Sequence, residues 1–493
     1  MSQSTPPIVL YCPAYGRSYD PQDGLFGCPD ADSHREHILN KKWTAAFDRQ
    51  GAKSAILGKW KEGVTDSFVL SHELSAVGHM LGAERYLQLL NILQGQLRQI
   101  EGKSFQVTPL IQAPALADAI ALTGRLWIKD ETGNITGSHK GRHLMGSLLY
   151  LEGLRILKNE TSKRILAIYS CGNAALAASA VAKAGGYELH AFVPESVEKP
   201  VVRMLDDRGA VVEMISRGDV GGGDPCYLAF SRAIDEKKWV PFSCSGNDNW
   251  SNIDGGETLG AEMAMQLTDH QAEVSSVVIQ VGGGALARAI SQAWAFLDHI
   301  GICKHGPRIH VCQARGNYPF VRAYYLTLNK IARHNNLVFD LTYDRNGNPK
   351  TELDKMYCFA DVGRQQIATV ADFACQHFQT AAVQTPLKEI VREPIQIMWP
   401  WDGYLPASLA HGILDDQTYD WYYLLRRIIK SGGQAVVAEE ETIRKAHHLA
   451  HEHTPVNVSA TGCAGLAGLL KLIKTGAISP AENVGLFFTG IER

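Results

Sequence analysis

Leu126-Trp-Ile-Lys-Asp-Glu-Thr-Gly-Asn-Ile-Thr-Gly-Ser-His-Lys140-Gly-Arg-His143 reads as a short apolar strand, a polar glycine-containing loop and a helix that begins near Lys140. A brief apolar run closed by turn residues is a strand signal, and this one recurs along the chain. Arg164-Ile-Leu-Ala-Ile-Tyr169, Leu189-His-Ala-Phe-Val193, Val211-Val-Glu-Met-Ile215, Val277-Val-Ile-Gln-Val281, Ile309-His-Val311 and Val484-Gly-Leu-Phe-Phe488 all read as buried strands, with helical windows between them. That alternation predicts an α/β fold with a mainly parallel sheet. Ligands of such sheets bind beyond the carboxyl ends of the strands, so the residues after each run are where chemistry is sought.

Three further strand ends carry small polar residues. Ala167-Ile-Tyr-Ser170-Cys171-Gly172-Asn173-Ala puts side-chain and backbone donors at the start of an alanine-rich helix, a place for a carboxylate or for ordinary capping. Gly282-Gly283-Gly284-Ala285-Leu286 follows the strand at Val277. Successive N–H groups without Cβ atoms can converge on a phosphate, although the spacing is neither that of a dinucleotide fold nor that of a nucleotide triphosphate loop. Ala460-Thr461-Gly462-Cys-Ala-Gly is a small-residue helix entry, and Thr489 ends the last strand with a hydroxyl. Lys140 itself lies near the positive end of a helix dipole, which favours the neutral amine needed for a Schiff base; a solvated lysine would look the same in isolation.

The composition sets the outer bounds. With 493 residues, 45% hydrophobic and 20% charged, the chain has ample length for a large core, and its net charge of −3 gives no reason to expect a nucleic-acid partner. Glycine, at 46 residues, exceeds the usual share of about 7%. The ten cysteines form no C-x-x-C pair, which reads as reduced thiols. No basic leader and no run of about 18 apolar residues is present, so a cytoplasmic protein without a membrane partner is expected.

Taken in order, these motifs resemble the pyridoxal-phosphate enzymes of fold type II, the group of threonine synthase, serine/threonine dehydratases, cysteine synthase and the tryptophan synthase β chain. Phe192-Val-Pro-Glu, Asp206-Asp-Arg-Gly-Ala and Asn252-Ile-Asp-Gly-Gly-Glu-Thr-Leu-Gly-Ala-Glu add to the likeness, which runs from Thr108 to Gly490 outside the stretch 316–406. The resemblance implies a two-domain fold: a large cofactor-binding domain over 105–145 and 253–493, a small domain over 146–252, a helical extension over 1–104 and an inserted subdomain over about 316–406. It implies pyridoxal 5'-phosphate on Lys140, with His139 beside the phosphate. Asn173 is implied at the phenolic oxygen and Gly282, Gly283, Gly284, Ala285 and Leu286 as the phosphate cradle. Ser138, Ser170, Cys171, Gly172 and Asn173 are implied around the substrate carboxylate, and Thr489, or else Thr461, at the pyridine nitrogen. A homodimer is the expected assembly.

Within the family, a neutral hydroxyl at the ring nitrogen favours expulsion of a leaving group over transamination. The Gly-Gly-Gly-Ala loop is more like that of dehydratases and diaminopropionate ammonia-lyase than that of threonine synthase. The expected reaction is elimination or replacement on a β-substituted amino acid through an external aldimine and an aminoacrylate-type intermediate. A threonine-synthase-like reaction on O-phosphohomoserine is the alternative, and a non-catalytic cofactor-binding protein the alternative of another class.

The opening Tyr11-Cys-Pro-Ala-Tyr-Gly and Gly27-Cys-Pro-Asp are similar to the zinc-ribbon-like start of some threonine synthases, but each half keeps one cysteine, Cys12 and Cys28. Two thiolates do not complete a tetrahedral site, so no metal is expected. His447, His448, His451 and His453 include an i, i+4 pair that reads as a solvated face, and Trp399, Trp401 and Tyr404 as the core of the insertion, a dimer contact or a pocket lining.

Overall fold

Two mainly parallel sheets organise the chain, and most of their strands are apolar runs. The computed structural model describes residues 5–32, 37–170, 172–195, 197–216, 224–339, 364–401 and 407–493. The strands are β1 (Ile8–Cys12), β2 (Arg17–Tyr19), β3 (Asn40–Trp43), β4 (Leu110–Gln112), β5 (Leu126–Asp130), β6 (Leu166–Tyr169), β7 (Leu189–Pro194), β8 (Val211–Ile215), β9 (Val240–Pro241), β10 (Ser276–Gln280), β11 (Arg308–Ala314), β12 (Ala435–Ala438) and β13 (Val484–Phe488).

The larger sheet has the order β12-β11-β10-β13-β5-β4. It is parallel except for β4, which pairs antiparallel with β5 through Ile111 and Ile128. Side chains alternate across it: Val277 and Ile279 enter one apolar cluster, Val278 the other. Helices Lys140–Lys158, Ser251–Asp269 and Ala285–His299 cover the first face, and Glu440–His453 and Ala464–Thr475 the second. With both faces covered, every residue of β10 and β13 is buried, which is why these strands are mostly apolar. The second sheet, β8-β7-β6-β9, is parallel and built wholly from 166–241.

The amino-terminal extension corrects one expectation. The extension over 1–104 was expected to be helical, but it holds β1, β2 and β3, and β3 pairs antiparallel with β1, Ile8 opposite Trp43, in a three-stranded sheet β2-β1-β3. Asn40-Lys-Lys-Trp has no apolar period of its own; its partner strand decides its conformation. Helices begin at Arg49, where the Asp48 carboxylate accepts from the Gly51 N–H at 2.9 Å, and continue to Glu101.

After β11, helix Pro319–His334 lies against β11 and β12, and helices Arg364–Gln376 and Ala381–Arg392 pack on it. Trp399 and Trp401 hold Arg322, whose guanidinium lies 3.6 Å from the Trp399 ring centroid. Cys171 and Tyr404 fall outside the described residues.

Candidate functional site

Four strand ends meet at one place. β5 leads through 131–139 to Lys140, β6 to Ser170, Gly172 and Asn173, β10 to Gly282–Gly284, and β13 to Thr489 and Gly490. The Lys140 loop is stitched to the end of β13. The His139 N–H donates to the Thr489 carbonyl at 3.1 Å, the Ile491 N–H donates to the Gly137 carbonyl at 2.9 Å, and Ser138 bridges Gly490. Two glycines permit this approach: a Cβ on Gly490 would stand 2.9 Å from Asn173 Nδ2, and one on Gly462 would stand 2.6 Å from the Gly490 carbonyl.

Lys140 is half-buried and its amine has no hydrogen bond or ion pair among the described residues. Its charge is felt by His139, His143, Cys244, Asp415 and Asp420. Burial, with the Lys140 charge second, pushes His143 down to about 3 and also holds His139 well below the ordinary histidine value, so both rings are neutral at physiological pH. Ser138 is fully buried and its hydroxyl has no partner. Such a group costs about 1–3 kcal/mol unless a ligand completes it.

The two candidate hydroxyls have different surroundings. Thr489 Oγ1, buried at the end of β13, accepts from Gln280 Nε2 at 2.7 Å, and the same amide donates to the Gly462 carbonyl. Thr461 Oγ1 accepts from the Gly412 N–H at 3.1 Å.

The glycine loop turns through Gly284, whose φ of +96° is open to glycine, into helix Ala285–His299, where Ala285 and Leu286 are buried. The segment 411–420 lies over it. Thr418 Oγ1 donates to the Gly282 carbonyl at 2.8 Å, the Asp420 N–H donates to the Gly283 carbonyl at 2.9 Å, and the Gly283 N–H donates to the Asp415 carboxylate. Burial pushes Asp415 up to about 6. Asn173 Oδ1 accepts from Arg493, and Ser170 Oγ accepts from the Gly172 N–H at 3.4 Å.

Asp415, Asp420, Gln280 and Arg493 were not among the residues singled out from sequence. Gln280 had a signal, as the one polar side chain in Val-Val-Ile-Gln-Val. Asp415 lies 133 residues after Gly282 in chain order and had none.

An amine at a helix start with no partner among the described residues, an N–H loop already holding a carboxylate oxygen, and an orphaned hydroxyl two residues before the lysine could hold a cofactor bearing both a phosphate and an aldehyde. These residues fit pyridoxal 5'-phosphate, and the fold class is that of the two-domain fold type II enzymes. The sequence profile described as "Pyridoxal-phosphate dependent enzyme" matches residues 103–372, more than half of the chain, and the protein belongs to that family. Among curated proteins, "Serine dehydratase-like" of Rattus norvegicus is 26% identical over 197 residues, which is 38% of this chain and 51% of the relative; the chain thus matches about half of that protein's length. Among solved structures, maize serine racemase superposes with a TM-score of 0.53 at 16% identity, covering 82% of this chain and 93% of the other. Diaminopropionate ammonia lyase from Escherichia coli gives 0.52 at 13% identity, covering 84% and 90%. At these identities the likeness is one of fold. No described helix is long and apolar enough to cross a membrane.

Proposed function

We propose that the protein is a lyase that eliminates the β-substituent of a small amino acid, giving a 2-oxo acid and ammonia. The observation that carries this reading is the Thr489–Gln280 pair, a neutral hydroxyl on a neutral amide at the position taken to face the pyridine nitrogen. Pyridoxal phosphate, when bound, supplies the electron sink that acidifies the α-carbon. With no carboxylate hydrogen-bonded to Thr489 among the described residues, that sink is modest, which favours prompt loss of a leaving group over transamination.

Each residue then has a task. Lys140 would hold the cofactor and, once its amine is freed, would take the α-proton as the Cβ leaving group departs with its bonding pair. The N–H groups of Gly282–Leu286 would hold the phosphate, with His139 near it, and Asn173 would hydrogen-bond the phenolic oxygen. Ser138, Ser170 and Gly172, with Cys171 in the same loop, receive the substrate carboxylate. The names of the relatives, a dehydratase-like protein, a racemase and an ammonia lyase, support a β-substituted substrate.

A panel of serine, threonine, diaminopropionate and O-phosphohomoserine, scored for 2-oxo acid, ammonia and threonine, tests the reading. Oxo acid and ammonia from a β-substituted amino acid are expected. Turnover of O-phosphohomoserine alone would install the threonine-synthase-like alternative, and cofactor binding without turnover of any substrate the non-catalytic one.

A further inference from the structure

We propose that Cys12, Cys28 and His37 bind a divalent, thiophilic metal ion, zinc foremost, in the amino-terminal sheet. Three separate segments deliver these ligands. Cys12 closes β1 before a hairpin whose Gly16 N–H returns to the Cys12 carbonyl at 2.9 Å; Cys28 follows the turn at 21–24; His37 precedes β3. The two sulfurs and the imidazole nitrogen all lie within 4.8 Å of one another. Cys12 Sγ stands 3.7 Å from His37 Nδ1. Around a tetrahedral zinc with Zn–S near 2.3 Å and Zn–N near 2.0 Å, sulfur and nitrogen are about 3.6 Å apart.

A second feature is what a metal ligand needs. His37 Nε2, the nitrogen turned away from the thiol, faces Asp32 Oδ1 at 3.4 Å, the carboxylate–histidine arrangement that fixes a ligating ring. The three ligands are also buried: Cys12 is 0% and Cys28 8% exposed, as is 8% of the His37 side chain. Each cysteine precedes a proline, which holds it extended. Two sulfurs and one nitrogen select zinc over calcium or magnesium. The expectation of no metal counted only the two thiols; His37, nine residues beyond Cys28, is the ligand it omitted.

Binding forms two metal–sulfur bonds and one metal–nitrogen bond and releases the two thiol protons to solvent, without change of oxidation state. The fourth tetrahedral position is left to water. The ion fastens both turns to the segment before β3. That strand carries Lys41 to Asp254 and Glu257, and Leu39 beside it accepts from Arg288, the partner of Asp420 over the glycine loop.

Full-length protein purified under reducing conditions with zinc is expected to hold one zinc per chain by elemental analysis. Exchange for cobalt should give thiolate charge-transfer and tetrahedral ligand-field bands. His37→Gln should lower the zinc content several-fold, and Cys12→Ser with Cys28→Ser should abolish it. Since the cysteine variants can fail to fold, the cobalt spectrum of the native chain is decisive by itself. Zinc content no higher than that of the double cysteine variant, cobalt bands without thiolate character, or a Cys12–Cys28 disulfide recovered by peptide mapping from zinc-loaded protein would each overturn the proposal.

Discussion

If Lys140 is the proposed cofactor lysine, its amine is ready for that role: it has no partner among the described residues and the two histidines near it are neutral. Lys140→Ala is therefore expected to lose the visible band of the lysine-bound cofactor and its trapping by borohydride, with kcat lowered by about 1,000-fold or more. Asp415 has the opposite character. Its carboxylate takes the Gly283 N–H that a phosphate oxygen needs, and with a pKa of about 6 it is charged at neutral pH. Two anions cannot share that donor cheaply at close range. Asp415→Asn should bind pyridoxal phosphate about 10-fold tighter than the native chain near pH 8, the two converging as the aspartate gains its proton below about pH 6. Fluorescence titration of cofactor-free protein measures this. Weaker binding by the variant would show that the carboxylate helps hold the cofactor.

The loop before helix Lys140–Lys158 is fixed by Arg142, one turn into that helix. Its guanidinium is fully buried and reaches Glu131 at 2.8 Å and Glu262 at 2.6 Å, while Lys129 reaches Glu262 at 2.9 Å. Two cations and two carboxylates balance. Arg142→Met would leave one cation for two buried carboxylates, and removing one partner of such a set costs about 3–5 kcal/mol, to be read from denaturant midpoints. This network also marks where sequence reading stopped. The positions of Lys140, Gly282–Gly284 and Thr489 after strand ends were legible because in an α/β fold the loop after each strand is marked by turn residues. The long strands were legible because burial on both faces leaves them mostly apolar. β3, β4 and β9 were not, being two to four residues long and specified by their neighbours. Arg142, Asp415 and the Gln280–Thr489 pair needed the fold, since their partners come from distant parts of the chain.

Across the molecule, the amino-terminal extension is joined to the catalytic core by a buried charge set of a different balance. Lys41 reaches Asp254 and, at 2.7 Å, Glu257, so that two acids share one ammonium. Ser75 and the Ala76 N–H also donate to Asp254, whereas Glu257 accepts from Lys41 and Gln292. Glu257, 1% exposed, is pushed up to about 8, by burial first and by Asp254 against the pull of Lys41. Glu257 therefore carries its proton at pH 7. In the unfolded chain Glu257 ionises near its ordinary value of 4.5. Its contribution to stability is thus complete below about pH 4.5, declines as pH rises, and is gone once pH passes about 8. A shift of this size corresponds to several kcal/mol over that window. Glu257→Gln, which cannot ionise and keeps the shape, should remove this slope: its denaturation midpoint should change less than that of the native chain between about pH 5 and 8 and exceed it above that range. Parallel curves for the two proteins would mean that Glu257 is charged in the folded state and that Lys41 holds both acids as anions.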